Sequence, residues 1–324
     1  MNNKTKTRIA ILDDYQQVAM DMADWSVLPE QVTVEVFSEH IADPKQLAKQ
    51  LNAFDVVCIM RERTAFTRAV FEALPNLKLL ITSGAVNASI DLSAASDQGV
   101  TVCGTASPGH AASELAWALI MGLYRQIVAE DQSIRNGLWQ TTVGRDLKDQ
   151  TLGVIGLGRH GSNIARFGNV FGMRVIAWSE NLDEQTCREQ NVSLVDKETL
   201  LAEADVISIH LKMGKRYRGL IDAKALEMMK PTAYIVNTSR GPIINEADLI
   251  EAIQQGQIAG AGLDVYDQEP LPLDHPLRSL PNTLLTSHVG FVTEQTYRVF
   301  YGEMVDAIMA WLKGEPLKVI LGSD

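Results

Sequence analysis

The sequence has few cysteines, no long apolar run and no surplus of positive charge, and each absence removes a class of protein. Its three cysteines, Cys58, Cys103 and Cys187, are odd in number and lack metal-ligand spacing. Neither a disulfide framework nor a bound metal is expected; buried thiols in a reducing compartment fit better. No stretch approaches the roughly 20 apolar residues a membrane-spanning helix needs, and the opening residues lack a secretory leader pattern. The cytoplasm is therefore the expected location. Lysine and arginine number 29 against 40 aspartates and glutamates, a net charge of −11. That balance argues against nucleic acid or an anionic membrane as a partner. Internal repeats, low-complexity tracts and flexible linkers are also missing.

What is present is ample apolar content, 46%, and a length of 324 residues that suggests about two domains. The first hundred residues alternate strand and helix signals. Strands are expected at 9–13, 32–37, 56–60, 77–82 and 100–103, with helical patterns at 16–22, 44–51 and 68–74 between them. This predicts a small parallel α/β unit whose ligand would lie at the carboxyl ends of its strands. Two of those ends are distinctive: Arg61-Glu62-Arg63-Thr64, and Ser83-Gly84-Ala85-Val86-Asn87. The arginines have two readings, a charge cluster paired on Glu62 or a contact to substrate. A single helix is expected over 110–135, apolar almost all round in its middle and hence buried between layers or domains.

A second α/β series follows, opened by Thr151 to Gly161. A buried strand at 152–155 breaks into Gly156-x-Gly158-Arg159-His160-Gly161, and a helix at 162–171 and a strand at 174–178 come next. Strand, glycine turn, helix and strand form the context of a dinucleotide fingerprint. Gly156 allows the tight turn, Gly158 lets a pyrophosphate approach, Gly161 permits close helix packing, and the helix N-terminus offers free N–H groups. Further strands are expected at 206–210, 234–238, 261–265 and 284–287, helices at 224–229 and 246–254, and an amphipathic helix at 294–313.

The polar residues at these strand ends carry the chemistry. Strand 234–238 leads into Arg240, strand 261–265 into Glu269, and strand 284–287 into His288. Each would sit on the side where a cofactor binds, although they are far apart in sequence. Singly, each is unremarkable: a solvated charge, a loop residue, a hydrogen-bonded histidine. Together they describe reduction of a 2-oxo acid. An arginine fork holds a carboxylate and polarises the carbonyl. A histidine held by a carboxylate delivers a proton as hydride arrives from a nicotinamide, or removes it in reverse.

The motifs Gly156-Leu-Gly-Arg-His-Gly161, Asn237-Thr-Ser-Arg-Gly-Pro242, Ala261-Gly-Leu-Asp-Val265, Glu269-Pro270 and Ser287-His-Val-Gly290 resemble those of the D-isomer-specific 2-hydroxyacid dehydrogenase family over nearly the whole chain. The resemblance implies catalytic roles for Arg240 (substrate anchor), Glu269 (orienting the histidine) and His288 (acid/base). It implies cofactor contacts from Gly156, Gly158, Arg159, His160, Gly161, Ser179, Glu180, His210, Thr238, Asp264 and Gly290. Substrate contacts would come from Arg61, Arg63, Ser83, Gly84 and Ala85 with Arg240 and His288. It also implies two Rossmann-like, doubly wound parallel α/β domains. The substrate domain, flavodoxin-like, would be discontinuous, residues 1–104 with 293–324, around a cofactor domain at 105–292. Homodimers through the cofactor domains and D stereochemistry come from the resemblance alone.

Two departures from the family pattern stand out. Val86 replaces the second glycine of the Gly-x-Gly that many relatives carry after the fourth strand. Ser179 stands where an NAD-selective aspartate usually ends the second strand of the cofactor domain, with Glu180 next. A serine does not repel a 2′-phosphate, but Glu180, Asp183 and Glu184 do, and only Arg159 is a candidate counter-charge. NAD is therefore expected, with NADP possible. The alternative to an enzyme is a dinucleotide-binding corepressor acting through protein partners. A formate dehydrogenase is disfavoured, since those pair the histidine with Gln rather than Glu.

Overall fold

The computed structural model describes residues 6–320. In chain order the elements are β1 (Thr7–Ile11), α1 (Ala19–Met22), β2 (Val32–Val36), α2 (Pro44–Leu51), β3 (Val56–Ile59), α3 (Arg68–Glu72), β4 (Leu79–Thr82), α4 (Leu92–Asp97) and β5 (Thr101–Gly104). There follow α5 (Ala111–Tyr124), α6 (Ile127–Arg135), β6 (Thr151–Ile155), α7 (Arg159–Val170), β7 (Arg174–Trp178), α8 (Glu184–Glu189), β8 (Ser193–Leu194), α9 (Lys197–Glu203) and β9 (Val206–Ile209). The chain closes with α10 (Ala223–Glu227), β10 (Tyr234–Asn237), α11 (Glu246–Gln254), β11 (Gly260–Leu263), β12 (Thr283–Leu285) and α12 (Glu294–Leu312).

The chain divides into two compact units. One holds the residues up to Pro108 and again from Val292; the other runs Gly109–Phe291. The first is built on a five-stranded sheet in the order β2-β1-β3-β4-β5, the second on a seven-stranded sheet in the order β12-β11-β10-β9-β6-β7-β8. Every ladder is parallel. Parallel strands need crossover connections, and the helices these supply cover both faces. That is why β3, β4, β9, β10 and β11 are buried at every position and read as mostly apolar runs. The fold class is that expected, two doubly wound α/β sheets.

Helix starts follow the sequence punctuation. Asp43, Asp91, Asp183, Asp196, Asp222 and Asn245 each accept from the first turn of α2, α4, α8, α9, α10 and α11, each cap worth about 1 kcal/mol. α12 lies in the first unit, where Tyr297, Phe300, Tyr301, Met304 and Ile308 are buried. Among the described residues no helix is long and apolar enough to cross a membrane.

One expectation fails. The helix anticipated over 110–135 is two helices, α5 and α6, broken at Gln126, whose φ is 52°. The cause lies outside the segment. The Tyr124 carbonyl accepts from the Arg145 N–H at 2.8 Å, and the Gln126 amide donates to the Leu123 carbonyl at 3.0 Å, so the last carbonyls of α5 are satisfied without the helix continuing. α5 is largely buried, whereas α6 has no buried residue. The other boundaries match or shift by up to three residues, and α4, α8, α9 and β8, all short, were not anticipated.

Candidate active site

Ligand chemistry in such a sheet gathers where the strands end. β6 ends at Ile155, and Gly156 follows with φ 93°, a conformation that glycine adopts without strain. A β-carbon on Gly156 would fall 2.6 Å from the His210 carbonyl oxygen, and one on Gly161 would fall 1.9 Å from the Gly156 oxygen. Both glycines are thus required by close backbone approach. Gly158 faces open space and caps α7, whose twelve residues leave their first N–H groups directed at it. The Arg159 guanidinium lies against Gly109, 2.1 Å from where a β-carbon there would sit. His160 Nδ1 is 3.1 Å from the Ser113 hydroxyl; burial, with Arg159 and His110 nearby, lowers its pKa and keeps the ring neutral.

His210, just past β9, is hydrogen-bonded to the Ser208 hydroxyl at 2.8 Å. Burial, with His160 adding, pushes its pKa down to about 3. Thr238 Oγ1 is buried and has no hydrogen-bond partner among the described residues. A buried hydroxyl without a partner is costly unless a ligand completes it. Ser179 and Glu180 end β7, the first half-buried and the second exposed. An open glycine turn, a directed helix N-terminus and an unsatisfied hydroxyl two strands along, at the end of β10, fit a dinucleotide.

Arg240, Glu269 and His288 follow β10, β11 and β12, which are successive neighbours in the sheet, so their loops arise about 5 Å apart. The Arg240 turn is shaped by Asn237, whose amide donates to the Arg240 carbonyl at 2.9 Å and whose side-chain oxygen accepts from the Ser239 N–H at 3.0 Å. Arg240 Nη1 donates to the Ser239 carbonyl at 2.7 Å. Glu269 is held at both oxygens. Oε1 accepts from the Tyr266 N–H at 2.9 Å, and Oε2 lies 2.5 Å from His288 Nδ1. With Nδ1 donating to Glu269, the proton chemistry of the ring falls to Nε2.

His288 has φ 54°, a left-handed conformation that costs about 1–2 kcal/mol in a residue with a side chain. Asp264 braces it. The carboxylate accepts from the Thr286 hydroxyl at 2.6 Å and from the N–H groups of Val289 and Gly290, each at 2.8 Å. Burial raises the Asp264 pKa, with these hydrogen bonds opposing it. Tyr266 ties the loops together: its hydroxyl donates to the Thr286 carbonyl at 2.7 Å, and its backbone passes so close to Gly241 that a β-carbon there would fall 2.1 Å from it. Sequence reasoning missed Tyr266, Thr286 and Asn237. Their signal was weak, hydroxyls and an amide within two residues of a functional strand end.

In the first unit the substrate-loop residues meet only in part. Arg61 (φ 52°) turns toward the loop after β4. Its N–H donates to the Ser83 hydroxyl at 2.8 Å, its Nη1 to the Ser83 carbonyl at 3.2 Å, and its guanidinium occupies the space a side chain at Gly84 would need. It also pairs with Glu62 at 3.5 Å. Arg63 goes elsewhere, donating to the Asp13 carbonyl at 2.8 Å and stacking on Tyr15. Ala85 and Val86 are exposed. Among the described residues no three His, Cys, Asp or Glu side chains gather as a metal site.

Comparison with known proteins agrees with this geometry. The model of the D-isomer specific 2-hydroxyacid dehydrogenase NAD binding domain matches residues 117–290. A glyoxylate reductase of Korarchaeum cryptofilum is 36% identical over 256 residues, 76% of each chain. A D-3-phosphoglycerate dehydrogenase of Archaeoglobus fulgidus is 33% identical over 279 residues, covering 85% of this chain but 52% of that one, so the chain spans about half the length of that relative. The crystal structure of a phosphoglycerate oxidoreductase from Vibrio cholerae superposes with a TM-score of 0.90 at 34% identity, over 95% of this chain and 99% of the other. A nicotinamide-dependent oxidoreductase is the class that this fold and site define. The chain belongs to the D-isomer specific 2-hydroxyacid dehydrogenase family, and it uses NAD.

Proposed function

We propose that Arg240, Glu269 and His288 carry out the interconversion of a small 2-oxo acid and its D-2-hydroxy acid. The observation that carries this reading is the 2.5 Å pairing of His288 Nδ1 with Glu269 at the strand end next to that of Arg240. Bound NAD supplies or accepts the hydride. Arg240 grips the substrate carboxylate and polarises the neighbouring carbonyl. His288 Nε2 gives its proton to the oxygen that becomes the hydroxyl, and takes it back in reverse. Glu269 fixes the ring and stabilises the imidazolium. Thr238 and the fingerprint glycines position the dinucleotide.

In this reading the first unit is the substrate domain. Arg61, placed beside Ser83 and Gly84, contacts the substrate there, while Arg63 holds the loop after β1. Glyoxylate, hydroxypyruvate and 3-phosphohydroxypyruvate are the first acids to try, given what the relatives are named for. A homodimer is supported by the exposed apolar residues beyond α6, Leu138, Trp139 (75% exposed) and Val143 (95% exposed). A cytoplasmic location suits three buried free thiols. NADH oxidation with a panel of 2-oxo acids tests the function. Turnover of at least one member, lowered about 10³-fold in Arg240→Ala, is expected; no turnover of any acid contradicts it.

A further inference from the structure

The acidic chain carries one markedly basic segment. From Lys212 to Arg218 there are four cations, Lys212, Lys215, Arg216 and Arg218, and no acidic residue. Two of the four have neighbours: Arg216 stacks on the Tyr217 ring at 4.6 Å, and the positive charge of Arg218 is felt at Asp267, where it favours the ionised carboxylate. Lys212 and Lys215 are exposed, and neither forms an ion pair with the described residues.

The position of the segment identifies what it serves. β7 and β9 flank β6 in a common register, with Trp178, Ile155 and Ile209 side by side, so their ends are two strand spacings, about 10 Å, apart. The chain leaving β9 crosses over the fingerprint turn. The Leu211 side chain lies 2.9 Å, and the His210 oxygen 2.6 Å, from where a β-carbon on Gly156 would be. Leu211 and Trp178 pack against the same core. Lys212 is the next residue, three past Ile209, and so leaves a strand end about 10 Å from the one that Ser179 and Glu180 follow. The other candidate cation is directed away. Arg159 lies against Gly109, three residues before Ala112, which packs beside Gly290 beyond β12, on the opposite side of the fingerprint from β7.

We propose that Lys212 supplies the counter-charge for a phosphate on the adenosine 2′-hydroxyl, with Ser179 as hydroxyl donor, so that the site accepts NADPH as well as NADH. The inference rests on the proposed function. Ser179 lacks the carboxylate that would exclude the phosphate; of the nearby acids Asp183 is committed to Thr186 and Glu184 pairs with Arg188, which leaves Glu180, exposed and screened by solvent to the same degree as Lys212, to oppose it. Lys215 adds to the local positive field.

Titration of NADH and NADPH by calorimetry, without any 2-oxo acid, tests this apart from turnover. The wild type is expected to bind NADPH within about tenfold of NADH at low salt. Lys212→Ala lowers the NADPH-to-NADH affinity ratio about tenfold, as expected for a lost charge-assisted contact; Lys212→Arg preserves the ratio. Lys224→Ala, a lysine on α10, leaves it where it was. Adenosine 2′,5′-bisphosphate should bind more tightly than AMP to the wild type, and no more tightly to Lys212→Ala. A ratio unchanged by Lys212→Ala overturns the proposal while leaving the proposed function standing. Failure to bind either dinucleotide overturns both.

Discussion

Both sheets place a charged or titratable residue in the left-handed conformation just beyond a strand, and they treat it differently. In the first unit one such residue is Arg61, φ 52°, two residues past β3; Asp13, φ 59°, two past β1, is another. In the second it is His288, φ 54°, three past β12. Arg61 has its N–H and carbonyl bound by the side chains of Ser83 and Asn87, and its guanidinium is turned onto Ser83 and Glu62. Its charge helps hold two loops of its own unit together. Around His288 the bracing is done by others. Asp264 fixes the backbone after it and Glu269 takes Nδ1, so that in the proposed function Nε2 is the nitrogen that meets the substrate. Under the proposed function, the same strained conformation serves recognition and structure in one unit and proton transfer in the other.

This contrast can be broken most severely at the second unit. Arg240→Ala removes a carboxylate fork and is expected to lower kcat/KM for 2-oxo acids by about 10³-fold, the scale of a lost transition-state charge contact. Arg240→Lys keeps the charge and should act mainly through KM. Steady-state kinetics on both variants separate the two.

A smaller effect is expected in the first unit. Arg61→Ala should raise KM about tenfold for 2-oxo acids bearing a distal anionic group and less for glyoxylate, since Arg61 also has structural partners. Arg63→Ala should leave the KM ratio unchanged and lower the urea midpoint instead, because its guanidinium holds the Asp13 carbonyl and stacks on Tyr15. If Arg63, and not Arg61, shifts the ratio, the assignment of the pair is reversed.

An effect on stability separates His210, half-buried and neutral, from His288. The His210 pKa is lowered in the folded protein to about 3, against about 6.5 unfolded. The unfolded chain therefore binds a proton that the folded chain refuses. The corresponding stability is fully present above about pH 6.5 and is lost as pH falls from there toward 3. Urea unfolding between pH 7 and pH 4 should show His210→Gln flattening this slope by about 3 kcal/mol. A slope unchanged by the substitution would show that His210 is not the group responsible.

The sequence made the fingerprint and the three strand-end groups legible because their causes are local. Gly156, Gly158 and Gly161 lie within one turn, and Arg240, Glu269 and His288 each follow an apolar run by a few residues. The break between α5 and α6 was illegible because its cause is the Arg145 N–H taking the Tyr124 carbonyl, a contact from outside the helix. The hold on Glu269 by the Tyr266 backbone has no side-chain signature at all. The divergence of Arg61 and Arg63 depends on Ser83 and Asp13, partners that only the sheet order brings near. The basic segment at Lys212 was visible in the sequence, but its bearing on β7 depends on β6 lying between β7 and β9.

The central claim is that His288 carries the proton while the dinucleotide is held elsewhere in the same unit. It is tested most directly by measuring, on one preparation of His288→Asn, both NADH affinity and turnover of an accepted 2-oxo acid. NADH affinity within about twofold of wild type, with kcat lowered by about 10²-fold or more, is the expected result. Turnover close to wild type would contradict the account.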